Sequence, residues 1–160
     1  MRIIIISILV SGLGFSQGFL HNLNGEVVDG DGQPILLRGF GLGGWLVPEG
    51  YMLHNQAWIQ GFESPTDIEN HVLELIGPDE ANNFWELYRA NYVAQSDIDK
   101  IAEWGFNHLR VPFHYKQFYD STGTETPIGY AIIDELITWC QPHNIYTVSY
   151  THLRAHETEA

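Results

Sequence analysis

The side chains best suited to chemistry gather in one stretch, Leu36–Met52, which reads LLRGFGLGGWLVPEGYM. Gly39, Gly41, Gly43 and Gly44 crowd its centre, and Trp45, Glu49 and Tyr51 follow. Glycines at that density let backbone approach a neighbour closely or adopt positive φ. An indole and a phenol cover the apolar faces of a sugar ring, and a carboxylate accepts hydrogen bonds from its hydroxyls. Trp45, Glu49 and Tyr51 are therefore candidates for a carbohydrate site. The same glycines satisfy the dinucleotide fingerprint as Gly39-x-Gly41-x-x-Gly44. That fingerprint needs a helix starting at its third glycine, and Pro48 would fall in the first turns of it. A dinucleotide-binding oxidoreductase is thus a disfavoured alternative. The histidines show no metal-ligand spacing, and the single cysteine, Cys140, excludes an intrachain disulfide and a Cys-based zinc site. No metal or cofactor is expected.

The elements that must position these residues follow from pattern. Gly25–Val28 and Ile35–Leu37 flank a Gly/Asp turn at Asp29–Pro34, which predicts a β-hairpin. The second run continues as a strand over Ile35–Phe40. Tyr51–Glu63 has no clear period and reads as a loop. Ser64-Pro65-Thr66-Asp67 is a helix start with Ser as cap, Pro in the first turn and an acid for a capping box. Ile68, Val72, Leu75 and Ile76 mark the inward face of that helix. A second helix from near Asp79 carries an aromatic stripe of Phe84, Tyr88 and Tyr92 with Leu87, expected to pack in a core. Ser96 and Asp99 open a third, with Ile98, Ile101 and Ala102 inward and Gly105 as its stop. Phe106–Phe113 follows as an apolar strand. A helix over Ile128–Gln141 buries Ile132, Ile133, Leu136, Ile137 and Cys140, and Asn144-Ile145-Tyr146 begins a third strand. Helices alternating with strands predict an α/β fold with a parallel sheet.

Two segments carry a resemblance. Arg38-Gly39-x-x-Leu42-Gly43-Gly44-Trp45, continued by Glu49, Tyr51 and Met52, resembles the first barrel strand of glycoside hydrolase family 5, the cellulase and exo-β-1,3-glucanase family. Trp104-Gly105-Phe106-Asn107-x-Leu109-Arg110-Val111-Pro112 is similar to the second-strand signature of that family. The resemblance runs from about Leu23 to about Tyr146. It implies a (β/α)8 TIM barrel, present here as an N-terminal partial barrel preceded by the hairpin, and cleavage of a β-glucan with retention. It further implies that Arg110, at the carboxyl end of its strand, orients the nucleophile through its guanidinium. Glu49 matches an acid that binds the non-reducing sugar, and Tyr51 and Tyr115 match aromatic contacts. His114 stands where the exo-glucanase branch usually has glycine, and is a further candidate for substrate contact. Retaining hydrolysis uses two carboxyl groups ~5–5.5 Å apart. The resemblance places one in an Asn-Glu pair after the fourth strand and the other after the seventh. This sequence contains no Asn-Glu pair, so neither catalytic glutamate is expected in it.

Composition sets the remaining bounds. A formal net charge of -13, with seven Lys and Arg, argues against nucleic-acid partners. Arg2 followed by the apolar run Ile3–Val10 reads as a secretory signal over residues 1–18, too short to span a bilayer. The expected product is secreted, extracellular or periplasmic, monomeric and without a membrane span. Residues 19–147 are assigned to the barrel. Val148–Ala160 is expected to stand outside the fold, because Val148–Thr158 resembles an in-frame reading of a library-preparation transposase adapter. A non-catalytic carbohydrate-binding module is the other alternative. The helices between strands speak against it, since such modules are mostly β-sandwiches.

Overall fold

A computed structural model of the protein describes residues 18–53, 64–120 and 122–151. The signal segment up to residue 17, most of the expected loop after Tyr51, and the tail from residue 152 lie outside the described residues. The chain divides into two compact units, one ending at Leu36 and one starting at Leu37.

In the first unit, strands β1 (His21–Leu23) and β2 (Glu26–Val28) form an antiparallel hairpin. Its turn is Asn24-Gly25, with φ of 54° and 92°, the pair of positive values that a tight two-residue hairpin turn needs. The expected reversal at Asp29–Pro34 is also present. Asp29 Oδ1 accepts from the Asp31 and Gln33 amides, and Val28 forms a single bridge to Pro34. The Asn-Gly turn, a strong hairpin signal, is what the sequence reading passed over.

The second unit is built on a parallel sheet in the order β3 (Gly39–Gly41), β4 (His108–Phe113), β5 (Tyr146–Thr151). Between β3 and β4 the chain makes α1 (Gly50–Leu53), α2 (Pro65–Ile76), α3 (Pro78–Tyr92) and α4 (Gln95–Glu103); α5 (Ile128–Cys140) joins β4 to β5. Short 3₁₀ turns at Tyr115–Gln117 and Gln141–His143 flank α5. The α2 start is as predicted, with Ser64 and Asp67 exchanging both bonds of a capping box. The α4 start differs. Asp97, not Asp99, accepts from the backbone of the cap residue Ala94 at 2.8 Å, and Asp99 instead meets His143 Nε2 at 2.7 Å. At the other end of α4, Gly105 (φ 80°) donates to the Ala102 carbonyl and Phe106 to that of Ile101. This is a Schellman stop, and it delivers the chain straight into β4.

Side chains of β4 alternate between two environments. Leu109 and Val111 are buried against the helices with Ile98, Ile101, Leu136, Cys140 and Ile145. His108, Arg110 and Pro112 share the opposite face by strand alternation. Burial also corrects the α2 face: Ile68 is buried, but Leu75 is 83% exposed, because α2 packs mainly on α3 and not on the sheet. A second correction concerns the end of the fold. β5 continues through Thr151, with Arg110 opposite Val148 and Phe113 opposite Thr151. The sheet thus takes four residues expected to lie outside it. A parallel ladder is made by backbone groups, so a mixed-polarity run can occupy it.

Candidate active site

The glycine-rich stretch is a strand with a bulge in it. Gly41 stands opposite Arg110, and the next pairing of the two strands is Leu46 with Phe113. Five steps on one strand therefore match three on the other. The extra residues leave the ladder after Leu42, whose amide still donates to the Arg110 carbonyl at 2.8 Å, and rejoin where His114 N donates to the Leu46 carbonyl. Gly44 supplies the positive φ (80°) that the excursion needs, and bulges of this kind re-aim side chains at barrel rims. No helix follows Gly44, since α1 begins only at Gly50. The dinucleotide arrangement is therefore absent.

The bulge decides the fate of Trp45. It is turned to the helix side, 3% exposed, within the core that includes Val93 and Ile98. Its Nε1 donates to the Arg89 carbonyl at 2.8 Å. Trp45 is thus corrected from a sugar platform to a core residue. Glu49 follows the rejoined strand and is half-buried. Its carbonyl accepts from Met52 and Leu53 to start α1, and its Oε2 accepts from the Tyr51 hydroxyl at 3.3 Å. Tyr51 is exposed, as the start of α1 and not as loop.

Beyond the carboxyl end of β4 lie His114 and Tyr115. His114 is 3% exposed, as buried as Trp45, and is likewise corrected from substrate contact to a buried residue. Its Nδ1 accepts from the Lys116 amide at 3.3 Å, and its ring lies 4.5 Å from that of Tyr115. Tyr115 is exposed. Lys116 reaches Thr66 Oγ1 at 2.7 Å and Glu69 at 3.4 Å, tying this turn to the start of α2. Arg110 sits in mid-strand and not at the strand end, exposed on the face opposite Leu109 and Val111. Glu49, His114 and Tyr115 thus follow the same end of two adjacent parallel strands, with Arg110 a turn of pleat below. Among the described residues no group of three or more His, Cys, Asp or Glu is arranged to hold a metal, and no helix is long and apolar enough to cross a membrane.

Two residues outside the predicted set also shape the site. Asn107 Oδ1 accepts from Arg38 N at 2.8 Å, its amide donates to the Arg38 carbonyl and its carbonyl accepts from Tyr146 N, which pins both neighbours of β4 in register. The Tyr88 hydroxyl donates to the Gly44 carbonyl at 2.6 Å, and burial pushes its pKa upward. Asn107 was visible as part of a strand signature. Nothing in the α3 stripe distinguished Tyr88 from a core aromatic.

A parallel sheet in the order β3-β4-β5, with helices connecting its strands, is the opening part of a (β/α)8 barrel. The cellulase (glycosyl hydrolase family 5) profile matches residues 64–157. The chain belongs to that family. It is 29% identical over 130 residues to a β-xylosidase of Phanerodontia chrysosporium, covering 79% of this chain and 26% of the relative. It is 30% identical over 112 residues to glucan 1,3-beta-glucosidase 1 of Schizosaccharomyces pombe, covering 68% and 27%. The rutinosidase of Aspergillus niger superposes with a TM-score of 0.56 at 24% identity, over 71% of this chain and 32% of that one. The chain spans about a quarter of the length of the curated relatives it matches.

Proposed function

We propose that this chain is the N-terminal part of a secreted, monomeric glycosidase that hydrolyses a β-glucan with retention. Family membership and the glucan-acting name of a relative support glycosidase chemistry. The observation that carries the reading of the site is the shared rim: Glu49 with Tyr51 after β3, His114 with Tyr115 after β4, and Arg110 on the exposed face below them. In this reading Glu49 and Tyr51 bind a terminal sugar, and Tyr115 stacks on a neighbouring ring. His114, buried beneath Tyr115, sets that ring's position. Arg110 holds the nucleophilic carboxylate ionised and aimed, since a guanidinium stays charged and forks onto carboxylates. The two catalytic carboxylates belong to the part of the protein that follows. Nucleic acid is not a partner, given the charge of -13.

The test uses the full-length protein and the 160-residue chain side by side. The full-length protein should release reducing sugar from laminarin or carboxymethyl cellulose, and the chain alone should release none. Arg110→Ala in the full-length protein should lower kcat by orders of magnitude, because preorganised charge at the reacting centre is lost. An unchanged kcat would reduce Arg110 to a structural ion pair.

A further inference from the structure

The connection between β3 and α4 holds α1, α2 and α3 among the described residues, and α3 is joined to the bulge at more points than simple packing requires. Tyr88 donates its hydroxyl hydrogen to the Gly44 carbonyl at 2.6 Å. One residue further along each chain, Trp45 Nε1 donates back to the Arg89 carbonyl at 2.8 Å. The two bonds run in opposite directions across the same contact, so they fix both its depth and its rotation. Tyr92 completes it. A Cβ built on Gly44 would lie 2.5 Å from the Tyr92 hydroxyl, so that ring rests directly on the glycine backbone. The rings of Tyr88 and Tyr92 lie 4.9 Å apart, tilted by 33°, one helical turn from each other.

The place of this clamp gives it meaning. Gly43 and Gly44 lie between the last regular pairing of β3, at Gly41, and its resumption at Leu46. Between Leu42, whose amide still donates to the Arg110 carbonyl, and Leu46, β4 offers the bulge no ladder bonds, and its carbonyls need partners from elsewhere. The Tyr88 hydroxyl supplies one of them. Leu46–Pro48 is buried, and the next residue is Glu49. An error in the path of Gly44 is therefore carried into the acid through a short, packed connection.

We infer that Tyr88 is a positioning residue for the sugar-binding acid Glu49. It acts from α3 by holding the bulge of the first barrel strand in one path. The inference rests on the proposed glycosidase function for the role of Glu49, but not for the clamp. The substrate it serves is the hydroxylated ring that Glu49 and Tyr51 would hold.

The test separates the two. Tyr88→Phe removes the donor and keeps the ring, so the α3 stacking survives. Hydrogen exchange on peptides covering residues 42–49 should become about ten-fold faster in this variant, the scale expected when a net hydrogen bond is lost. Peptides from β4 and α5 should be unchanged. In the full-length protein the same variant should raise KM for laminari-oligosaccharides about ten-fold with kcat within two-fold, the pattern of a lost binding contact. Unchanged exchange over 42–49 overturns the clamp, whatever the kinetics. Faster exchange with an unchanged KM also overturns the inference, because the bulge then moves without consequence for Glu49. If the wild-type protein hydrolyses no glucan, the proposed function fails, and exchange alone decides whether Tyr88 holds the bulge.

Discussion

Gly39→Ala should be the most damaging single-methyl change in the sheet. Gly39 pairs with His108 at the start of the β3–β4 ladder. A Cβ built on it would lie 2.6 Å from the His108 carbonyl carbon and 2.7 Å from His108 Nδ1, with the carbonyl oxygen closer still. The obstacle is chiefly backbone, which cannot rotate aside as a side chain would. The strands must part or β3 must slip, and either disturbs the bonds joining Arg38 to Asn107 and Leu42 to Arg110. Overpacking of this kind costs about 1–3 kcal/mol, and we expect the upper half of that range. With a urea slope of ~1–3 kcal/mol/M, the unfolding midpoint should fall by about 1 M. Gly41→Ala is the matched control. Gly41 stands two residues on in the same strand, and a Cβ there meets nothing within 4 Å. Its midpoint should shift by less than ~0.5 kcal/mol equivalent, as for an ordinary exposed site. Equal midpoints for Gly39→Ala and wild type would refute the close-approach argument. So would a Gly41→Ala variant as unstable as Gly39→Ala.

Two further outcomes follow from titratable groups. Cys140 is buried beside Leu136 and Ile145, and burial pushes its thiol up to about 11; a disulfide reagent at pH 8 should label it only through unfolding, so labelling faster than global opening would refute this. Asp120 is held below the usual carboxylate range by the Thr122 hydroxyl and the Thr124 amide. A lowered folded pKa stabilises the turn above the unfolded value, and that contribution is lost as pH falls through the folded one. The Thr122 and Thr124 amide signals should therefore titrate below the usual aspartate range, and a midpoint at the model-peptide value would contradict the bonding described.

The elements that sequence read well are those whose signals are local. The α2 capping box, the Gly105 stop and the inward face of α4 depend on residues within one or two turns of each other, and all are found as expected. The failures are non-local. The apolar run Ile35–Phe40 suggested a strand, yet the ladder to β4 starts only at Gly39. What places its start is Asn107, whose side-chain oxygen meets Arg38 across 69 residues of sequence. Likewise β5 reaches Thr151 because β4 offers backbone partners up to Phe113, whatever the polarity of the opposing residues.

The site shows the same division more sharply. Residue types marked Glu49 and Tyr51 as candidates at a sugar site, and the family resemblance added Arg110, His114 and Tyr115. The strands place all but Arg110 beyond one end of two neighbours, with Arg110 in mid-strand and His114 buried. Trp45 had an equal claim by type and lost it by geometry. A strand without the bulge would alternate faces strictly from Gly41 onward; with two residues added, that alternation is broken between Gly41 and Leu46. The indole then falls among Val93 and Ile98, where its one donor finds the Arg89 carbonyl. The glycines carry different duties that their spacing could not separate: Gly39 admits the backbone of β4, Gly44 takes the left-handed turn under Tyr92, and Gly41 leaves open space where a side chain would stand next to Arg110. That last vacancy is on the exposed face of the sheet. A methyl group at position 41 meets nothing within 4 Å and is accommodated, whereas a long side chain there would lie beside Arg110, its partner across the ladder, on the same face of the sheet.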